Sequence, residues 1–163
     1  DGGECDSGEV GELIIRGAHV TPGYWNNPEA TAQAIRDGWL HTGDLAVRDK
    51  DGCYTIVGRL KDMIISGGEN IYPSEVESVM HAHPAIAEAA LIGIADEKWG
   101  EVGCACVVVR ADAAVTETEL IVFLQERLAR YKVPKSVIFI TELPKTGAGK
   151  IDKKKLGEQF GQT

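Results

Sequence analysis

The sequence has little of what nucleic-acid-binding, metal-binding or membrane-spanning proteins need. Its formal net charge of -8 argues against nucleic acid or an anionic membrane surface as the main partner, because both select for basic chains. Its 4 cysteines and 4 histidines show no metal-ligand spacing, so we predict no metal site. No apolar run approaches the ~18 residues of a transmembrane helix. These shortages leave an ordinary globular protein as the expectation.

The cysteines that are present favour a reducing compartment. Cys104 and Cys106 flank Ala105, which predicts that both lie on one face of a buried strand as small apolar residues. Reduced thiols of this kind are typical of a cytoplasmic protein. Because the chain begins at Asp1 without a methionine, we expect it to be part of a longer protein.

Two regions of different patterning divide the 163 residues. Residues 1–58 predict a β-rich segment with strands at 12–17, 39–45 and 53–58. One helix interrupts these strands, with Asn27 as its cap and Pro28 in its first position. This segment is one predicted domain.

Residues 59–163 alternate short apolar runs with amphipathic segments, which predicts an α+β domain with a central sheet flanked by helices. Strands are expected at 63–66, 89–95, 104–109 and 137–140, and helices from about 73, from 116 and at 152–160. Two helix starts have the spacing of a capping box, Ser74 with Glu77 and Thr116 with Glu119.

A glycine-rich loop near the C-terminus presents a lysine. Residues 145–151 read Lys-Thr-Gly-Ala-Gly-Lys-Ile, but Pro144 and Ile151 occupy the places where a Walker A loop needs Gly and Ser or Thr. What remains is Lys150 on a flexible loop, where a compact positive charge can stabilise a carboxylate or phosphoryl group. Taken alone, the motif is also explained by a solvated surface loop.

Two further motifs are each ambiguous by themselves. Gly67 and Gly68 let the backbone pass where a side chain would block it, which suits either a tight turn or a narrow ligand tunnel. Asp44, within residues 41–45, has the chemistry to accept hydrogen bonds from a ribose diol or to serve as a turn residue.

Taken together and in this order, the motifs closely resemble the C-terminal half of adenylate-forming enzymes. The resemblance rests on residues 42–45, 58–59, 66–73, 131–134 and 144–151, and on the supporting segments 23–31 and 96–101. The sequence of residues 66–73 is similar to the corresponding segment of fatty-acyl and aryl-CoA synthetases. The resemblance implies that residues 1–58 end the β-barrel subdomain of a large adenylation domain, and that residues 59–163 form a mobile lid domain.

Such enzymes are AMP-forming acid–thiol ligases, which join a carboxylic acid to AMP and then transfer the acyl group to coenzyme A. By similarity, Asp44 would hold the ribose hydroxyls, Arg59 would reach the ribose or phosphate, and Lys150 would bridge the carboxylate and the α-phosphate. Lys61 would be the hinge of a domain rotation. The CoA site would then be lined by Gly67, Gly68, Trp99 and Tyr131.

The resemblance also implies cofactors and partners. They are ATP, CoA, a small carboxylic acid and the missing N-terminal core of the same chain, with Mg²⁺ held mainly outside this fragment. A lysine acetyltransferase acting on Lys150 is a further expected partner. The fragment alone should be inactive. Two alternatives stay open at this point, a stand-alone CoA-binding module and the lid of a peptide-synthetase adenylation domain. Trp99 also has an alternative role, closing the hydrophobic core.

Overall fold

The computed structural model describes residues 3–161, and the contacts divide the chain into two compact units, Asp1–Lys61 and Asp62–Thr163. The sequence placed the change of pattern after residue 58. Arg59, however, ends the last strand of the first unit, where it pairs with Asp44. The first unit therefore continues through Lys61.

The first unit is an antiparallel sheet of 4 strands built around one long central strand. Its elements are β1 (Val10–Ile15), α1 (Pro28–Ala34), β2 (Ile35–Arg36), β3 (Trp39–Arg48) and β4 (Tyr54–Arg59). Strand β1 pairs along one side of β3, whereas β2 and β4 pair with its other side. As predicted, the Asn27 side chain caps α1, accepting a hydrogen bond from the Ala30 N–H at 3.0 Å.

The second unit carries a 5-stranded sheet with β8 at its centre. Its elements are β5 (Ile64–Ser66), β6 (Glu69–Ile71), α2 (Pro73–His81), β7 (Ile86–Asp96), β8 (Gly100–Val109), α3 (Glu117–Gln125), β9 (Ser136–Phe139) and α4 (Lys153–Phe160). Strand β7 pairs antiparallel with β8 along its length, and β9 joins β8 in parallel. Strand β5 meets the beginning of β8 and also pairs with β6.

Helices cover both faces of this sheet. Along β7 the side chains alternate, so that Ala89 and Leu91 join the core under α2 and α3, whereas Ala90 and Ile92 join the core under α4. Burying each large aliphatic side chain contributes about 1.5–3 kcal/mol, which makes the two cores the main source of stability. The α+β class with a central sheet flanked by helices is confirmed.

The cysteines of β8 behave as predicted. Cys104 and Cys106 are buried in the core under α4, together with Leu156. A hydrogen bond with the Cys104 sulfur and burial both raise the pKa of the Cys106 thiol. Throughout residues 3–161 the cysteines are free, and no helix there is long and apolar enough to span a membrane.

One predicted capping box is present and the other is wrong. Thr116 accepts a hydrogen bond from the Glu119 N–H at 3.2 Å, and the Glu119 carboxylate accepts one from the Thr116 N–H at 2.8 Å. Helix α2, in contrast, has Tyr72 as its N-cap, without a side-chain hydrogen bond. Ser74 therefore lies inside the helix and not at its N-cap, and the Glu77 carboxylate has partners outside the helix.

Those partners lie at the margin of the sheet. Glu77 Oε1 accepts a hydrogen bond from the Leu91 N–H at 2.8 Å on β7 and lies 2.7 Å from Lys153 Nζ on α4. At the other margin, Glu117 Oε1 accepts a hydrogen bond from the Val137 N–H at 3.0 Å on β9. Helical carboxylates thus occupy a backbone donor on each of these two outer strands.

Candidate functional site

In the first unit, the structure brings Asp44 and Arg59 together. Arg59 Nε lies 2.7 Å from Asp44 Oδ1, in the register where β3 pairs with β4. Arg59 also donates to the Thr42 carbonyl at 3.4 Å. The Arg59 side chain is 49% exposed and that of Asp44 31%, so a ligand has access to both. An exposed ion pair contributes little to stability, about 0–1 kcal/mol.

The turn before Asp44 is fixed by a residue that sequence reasoning did not single out, Glu12 on β1. Its Oε1 accepts a hydrogen bond from the Gly43 N–H at 3.1 Å, and its Oε2 lies 2.8 Å from His41 Nδ1. Partial burial raises the pKa of Glu12, but the hydrogen bonds with His41 and Gly43 outweigh it and lower the pKa overall. The available signal was a charged residue next to the apolar run of a predicted strand.

In the second unit, Gly67 and Gly68 form the turn between β5 and β6, with φ values of 60° and 89°. Both are in the left-handed region that favours glycine. The Gly67 N–H donates to the Trp99 carbonyl at 2.8 Å. A Cβ on residue 67 would lie 2.6 Å from Trp99 Cε3, whereas a Cβ on residue 68 would meet nothing within 4 Å. Gly67 and Trp99 therefore form one contact surface.

Trp99 is held at the surface. The backbone N–H of Trp99 donates to Asp96 Oδ1 at 2.9 Å, and Lys98 Nζ lies 4.7 Å from the centroid of the indole ring. The residue is 40% exposed and belongs to neither core cluster. This placement favours a surface role over closing the core.

Tyr131 lies in the 3₁₀ turn Arg130–Lys132, which packs against β6, the strand that follows Gly68. It is 42% exposed. Its neighbour Lys132 is fixed, with Nζ 2.7 Å from both carboxylate oxygens of Glu75 on α2. This hydrogen-bonded pairing raises the pKa of Lys132. The turn thus places Tyr131 beside the strand that continues from the glycine pair.

The glycine-rich loop is a hydrogen-bonded hairpin. Lys145 and Ile151 form an antiparallel bridge, and Thr146 donates its N–H to the Lys150 carbonyl at 2.7 Å. Gly149 closes the turn with a φ of 77°. Lys145 Nζ lies 3.1 Å from Glu88 Oε1, whereas the exposed Lys150 has no ion pair with any residue of the described range 3–161. Backbone hydrogen bonds close the hairpin, Lys145 forms an exposed ion pair, and Lys150 is available.

The lysine hairpin and Trp99 lie at different ends of β7. Lys145 reaches Glu88 near the beginning of this strand, and Trp99 follows its end at Asp96. At about 3.3 Å per residue, Glu88 and Asp96 are roughly 25 Å apart. The structure therefore does not bring Lys150 to the surface of Gly67 and Trp99. Lys61, the predicted hinge, lies in the 3₁₀ turn Leu60–Asp62.

A metal-ligand cluster and a surface cavity are two further kinds of candidate site. Between residues 3 and 161, no cluster of three or more His, Cys, Asp and Glu residues is arranged to hold a metal ion. A surface cavity of about 290 Å³ is lined by Ile140, Glu142, Pro144, Lys155, Gln159 and Phe160. None of the predicted site residues lines this cavity.

Comparison with known proteins identifies the relatives of this chain. Residues 75–150 match the model of the AMP-binding enzyme C-terminal domain. Feruloyl-CoA synthase of Amycolatopsis sp. is 53% identical over 94% of this chain and 31% of its own length. The 2-succinylbenzoate–CoA ligase of Bacillus mycoides is 50% identical over 90% of this chain and 30% of its own length. The chain thus spans about a third of these curated relatives.

A solved structure agrees with these matches. The o-succinylbenzoate CoA synthetase of Bacillus subtilis, in complex with its acyl-adenylate intermediate, is similar with a TM-score of 0.88 and 41% identity. The similarity covers 93% of this chain and 31% of that protein. The chain belongs to the family of adenylate-forming acyl-CoA ligases and corresponds to the C-terminal part of such a protein.

Proposed function

We propose that the protein containing this chain is an AMP-forming acid–thiol ligase. It joins a carboxylic acid to the α-phosphate of ATP with release of pyrophosphate, and then transfers the acyl group from AMP to the thiol of CoA. The chain serves this reaction together with the rest of the protein, because the relatives it matches are about three times as long. The names of those relatives, which are CoA synthases and ligases, support the proposal.

The observation that carries the proposal is the state of Lys150. Four lysines of the second unit lie within ion-pair distance of a glutamate, namely Lys132, Lys145, Lys153 and Lys154. Among residues 3–161, Lys98, Lys135, Lys150 and Lys155 have no ion pair, and of these four only Lys150 lies in the glycine-rich hairpin. Lys150 stands on a closed hairpin and has no such partner among residues 3–161. An ammonium group presented in this way suits the negative charge that develops between a carboxylate and a phosphate.

The remaining site residues divide between two steps. Asp44 and Arg59 would bind the ribose and phosphate during adenylation, whereas Gly67, Gly68, Trp99 and Tyr131 would receive CoA. Because Lys150 and Trp99 lie at different ends of β7, one orientation of the second unit does not serve both steps at a single centre. We therefore include a rotation about Lys61 in the proposal.

Mg²⁺ would be held mainly by ATP phosphates and by residues outside this chain, since Mg²⁺ commonly binds through one or two carboxylates plus phosphates. The free cysteines fit a reducing, cytoplasmic location. Acetylation of the exposed Lys150 by an acetyltransferase would remove its charge and stop adenylation.

The test compares Lys150→Ala with Lys145→Ala in the full-length protein. Lys150→Ala should lower acid-dependent ATP–pyrophosphate exchange ~100-fold or more, because a transition-state contact is lost. Thioester formation from supplied acyl-adenylate should stay near normal. Lys145→Ala should leave both steps near normal, since it removes only an exposed ion pair. Equal loss of both steps in Lys150→Ala would contradict the proposed role.

A further inference from the structure

Glu12 lies on β1, opposite the part of β3 that contains Asp44. We propose that Glu12 is a positioning residue that fixes the turn Thr42–Gly43–Asp44, and that it thereby sets the Asp44 carboxylate for recognition of the nucleotide ribose. The inference rests on the proposed function, in which Asp44 binds the ribose hydroxyls. Glu12 would not contact the nucleotide itself but would act through Gly43.

The pairing of β1 with β3 explains why the turn needs a partner of this kind. Glu12 pairs with Leu45, and Ile14 pairs with His41, so the register shifts between these two positions. A longer stretch of β3, which contains residues 42–44, lies opposite a shorter stretch of β1. Such a bulge interrupts the backbone ladder, and its N–H groups need acceptors from outside the ladder.

Side chains supply the missing partners. Glu12 Oε1 takes the Gly43 N–H at 3.1 Å, and the Thr42 hydroxyl donates to the Leu13 carbonyl at 2.6 Å. The same hydroxyl oxygen accepts the Asp44 N–H at 3.1 Å. Gly43 has a φ of 70°, which other residues rarely adopt. The backbone on both sides of Gly43 is therefore determined by contacts with β1.

The second carboxylate oxygen of Glu12 fixes Glu12 itself. Oε2 lies 2.8 Å from His41 Nδ1, and the side chains of both residues are only 23% exposed. A carboxylate held at both oxygens has little rotational freedom, so it keeps Oε1 directed at Gly43. From the other side of β3, Arg59 holds Asp44 Oδ1 at 2.7 Å. The carboxylate of Asp44 is thus fixed by Arg59, and its backbone by Glu12 through Gly43.

A role limited to stability would give a different result from a positioning role. Loss of stability lowers the amount of active enzyme for every substrate alike. Loss of position weakens only the recognition of the ribose hydroxyls. The informative quantity is therefore the ratio of kcat/KM for ATP to kcat/KM for 2′-deoxy-ATP or 3′-deoxy-ATP.

The experiment measures this ratio by ATP–pyrophosphate exchange in the full-length protein. Hydrogen bonds to a charged group predict that the wild type prefers ATP over the deoxynucleotide that lacks the bound hydroxyl about 10- to 100-fold. Asp44→Ala should bring the ratio close to one. Glu12→Ala should lower it about 5-fold or more, because the turn loses the acceptor for the Gly43 N–H.

Two conservative variants separate the effect of the length of the Glu12 side chain from the effect of its charge. Glu12→Gln retains an oxygen at the same reach and should keep most of the preference for ATP. Glu12→Asp retains the charge, but its shorter side chain places the carboxylate too far from the Gly43 N–H. This variant should therefore lose the preference for ATP over the deoxynucleotide, as Glu12→Ala does. This variant also gives an answer if Glu12→Ala fails to fold. Glu9→Gln, which alters an exposed carboxylate bonded to the Asp6 N–H, is the matched control and should behave as wild type.

The outcomes distinguish failure of the Glu12 assignment from failure of the ribose site at Asp44. If Asp44→Ala loses the preference for ATP while Glu12→Asp and Glu12→Ala keep the wild-type ratio, the role of Glu12 is overturned and the ribose site stands. If Asp44→Ala itself keeps the wild-type ratio, Asp44 does not bind the ribose hydroxyls. The assignments of both Asp44 and Glu12 then fail. Both assignments are supported if the preference for ATP is lowered in Asp44→Ala, Glu12→Ala and Glu12→Asp and stays near the wild-type value in Glu12→Gln.

Discussion

Gly67 and Trp99 are in direct contact through both backbone and side chain. The Gly67 N–H donates to the Trp99 carbonyl at 2.8 Å, and the indole ring occupies the space that a Cβ on residue 67 would need. A side chain at residue 67 and the present position of the indole are therefore incompatible. Gly68, the next residue, has open space at its Cβ.

The first prediction compares Gly67→Ala with Gly68→Ala. Both residues have positive φ, so both variants should carry a similar backbone strain of roughly 1–2 kcal/mol. Only alanine at residue 67 would displace the ring of Trp99, because its Cβ would lie 2.6 Å from Cε3. The indole N–H resonance of Trp99 should therefore move in Gly67→Ala and stay near its wild-type position in Gly68→Ala. Equal movement in both variants would show that backbone strain, not the clash, displaces the ring.

The second prediction concerns CoA binding by Trp99. Trp99→Ala in the full-length protein should raise the CoA KM roughly 10- to 100-fold, because base stacking on an aromatic ring is worth about 1–3 kcal/mol. The melting temperature should change little, since the ring lies outside both cores. Leu124→Ala is the control. It removes a fully buried side chain, so it should destabilise the fold by about 2–5 kcal/mol and leave the CoA KM unchanged. A Trp99→Ala protein with lowered melting temperature and normal CoA KM would assign the ring to packing.

The third prediction tests Lys61 as the hinge. Proline fixes φ near −65°, which is compatible with the 3₁₀ turn Leu60–Asp62 but opposes a change of dihedral angle there. Lys61→Pro in the full-length protein should therefore retain ATP–pyrophosphate exchange and lose thioester formation. Lys61→Ala removes the charge without fixing φ and should retain both steps. Normal turnover by Lys61→Pro would place the hinge elsewhere.

Features of the fold that depend on neighbouring residues were predicted correctly. Thr116 and Glu119 lie three residues apart and form the expected capping box, because both partners of each hydrogen bond are local. Ser74 and Glu77 have the same spacing, but the helix begins at Pro73 with Tyr72 as its N-cap, and Glu77 contacts Leu91 and Lys153, which are distant in sequence. The short strand β6 was also missed, since Ile71 is the only apolar residue among its 3 residues. Hydrogen bonds between neighbouring residues could therefore be predicted from the sequence, whereas contacts with distant residues could not.

The same distinction applies to the candidate site. Asp44, Lys150 and the glycine pair were found because each belongs to a recognisable motif. The pairing of Asp44 with Arg59 and the support of Gly43 by Glu12 depend on the registers of β3 with β4 and with β1. A shift of one residue in either pairing would move these side chains to the other face of the sheet. No property of the sequence alone gives such a register.

The glutamates at the margins of the second unit affect how this unit meets other molecules. An outer β-strand with unoccupied backbone donors is a template on which another chain can add a strand. On β7 the Leu91 donor is occupied by Glu77, which Lys153 also holds, and on β9 the Val137 donor is occupied by Glu117. A strand from a second molecule would have to break these contacts before it could pair there. Pairing of the second unit with a strand of another molecule along β7 and β9 is thereby disfavoured, which protects this part of the sheet against aggregation.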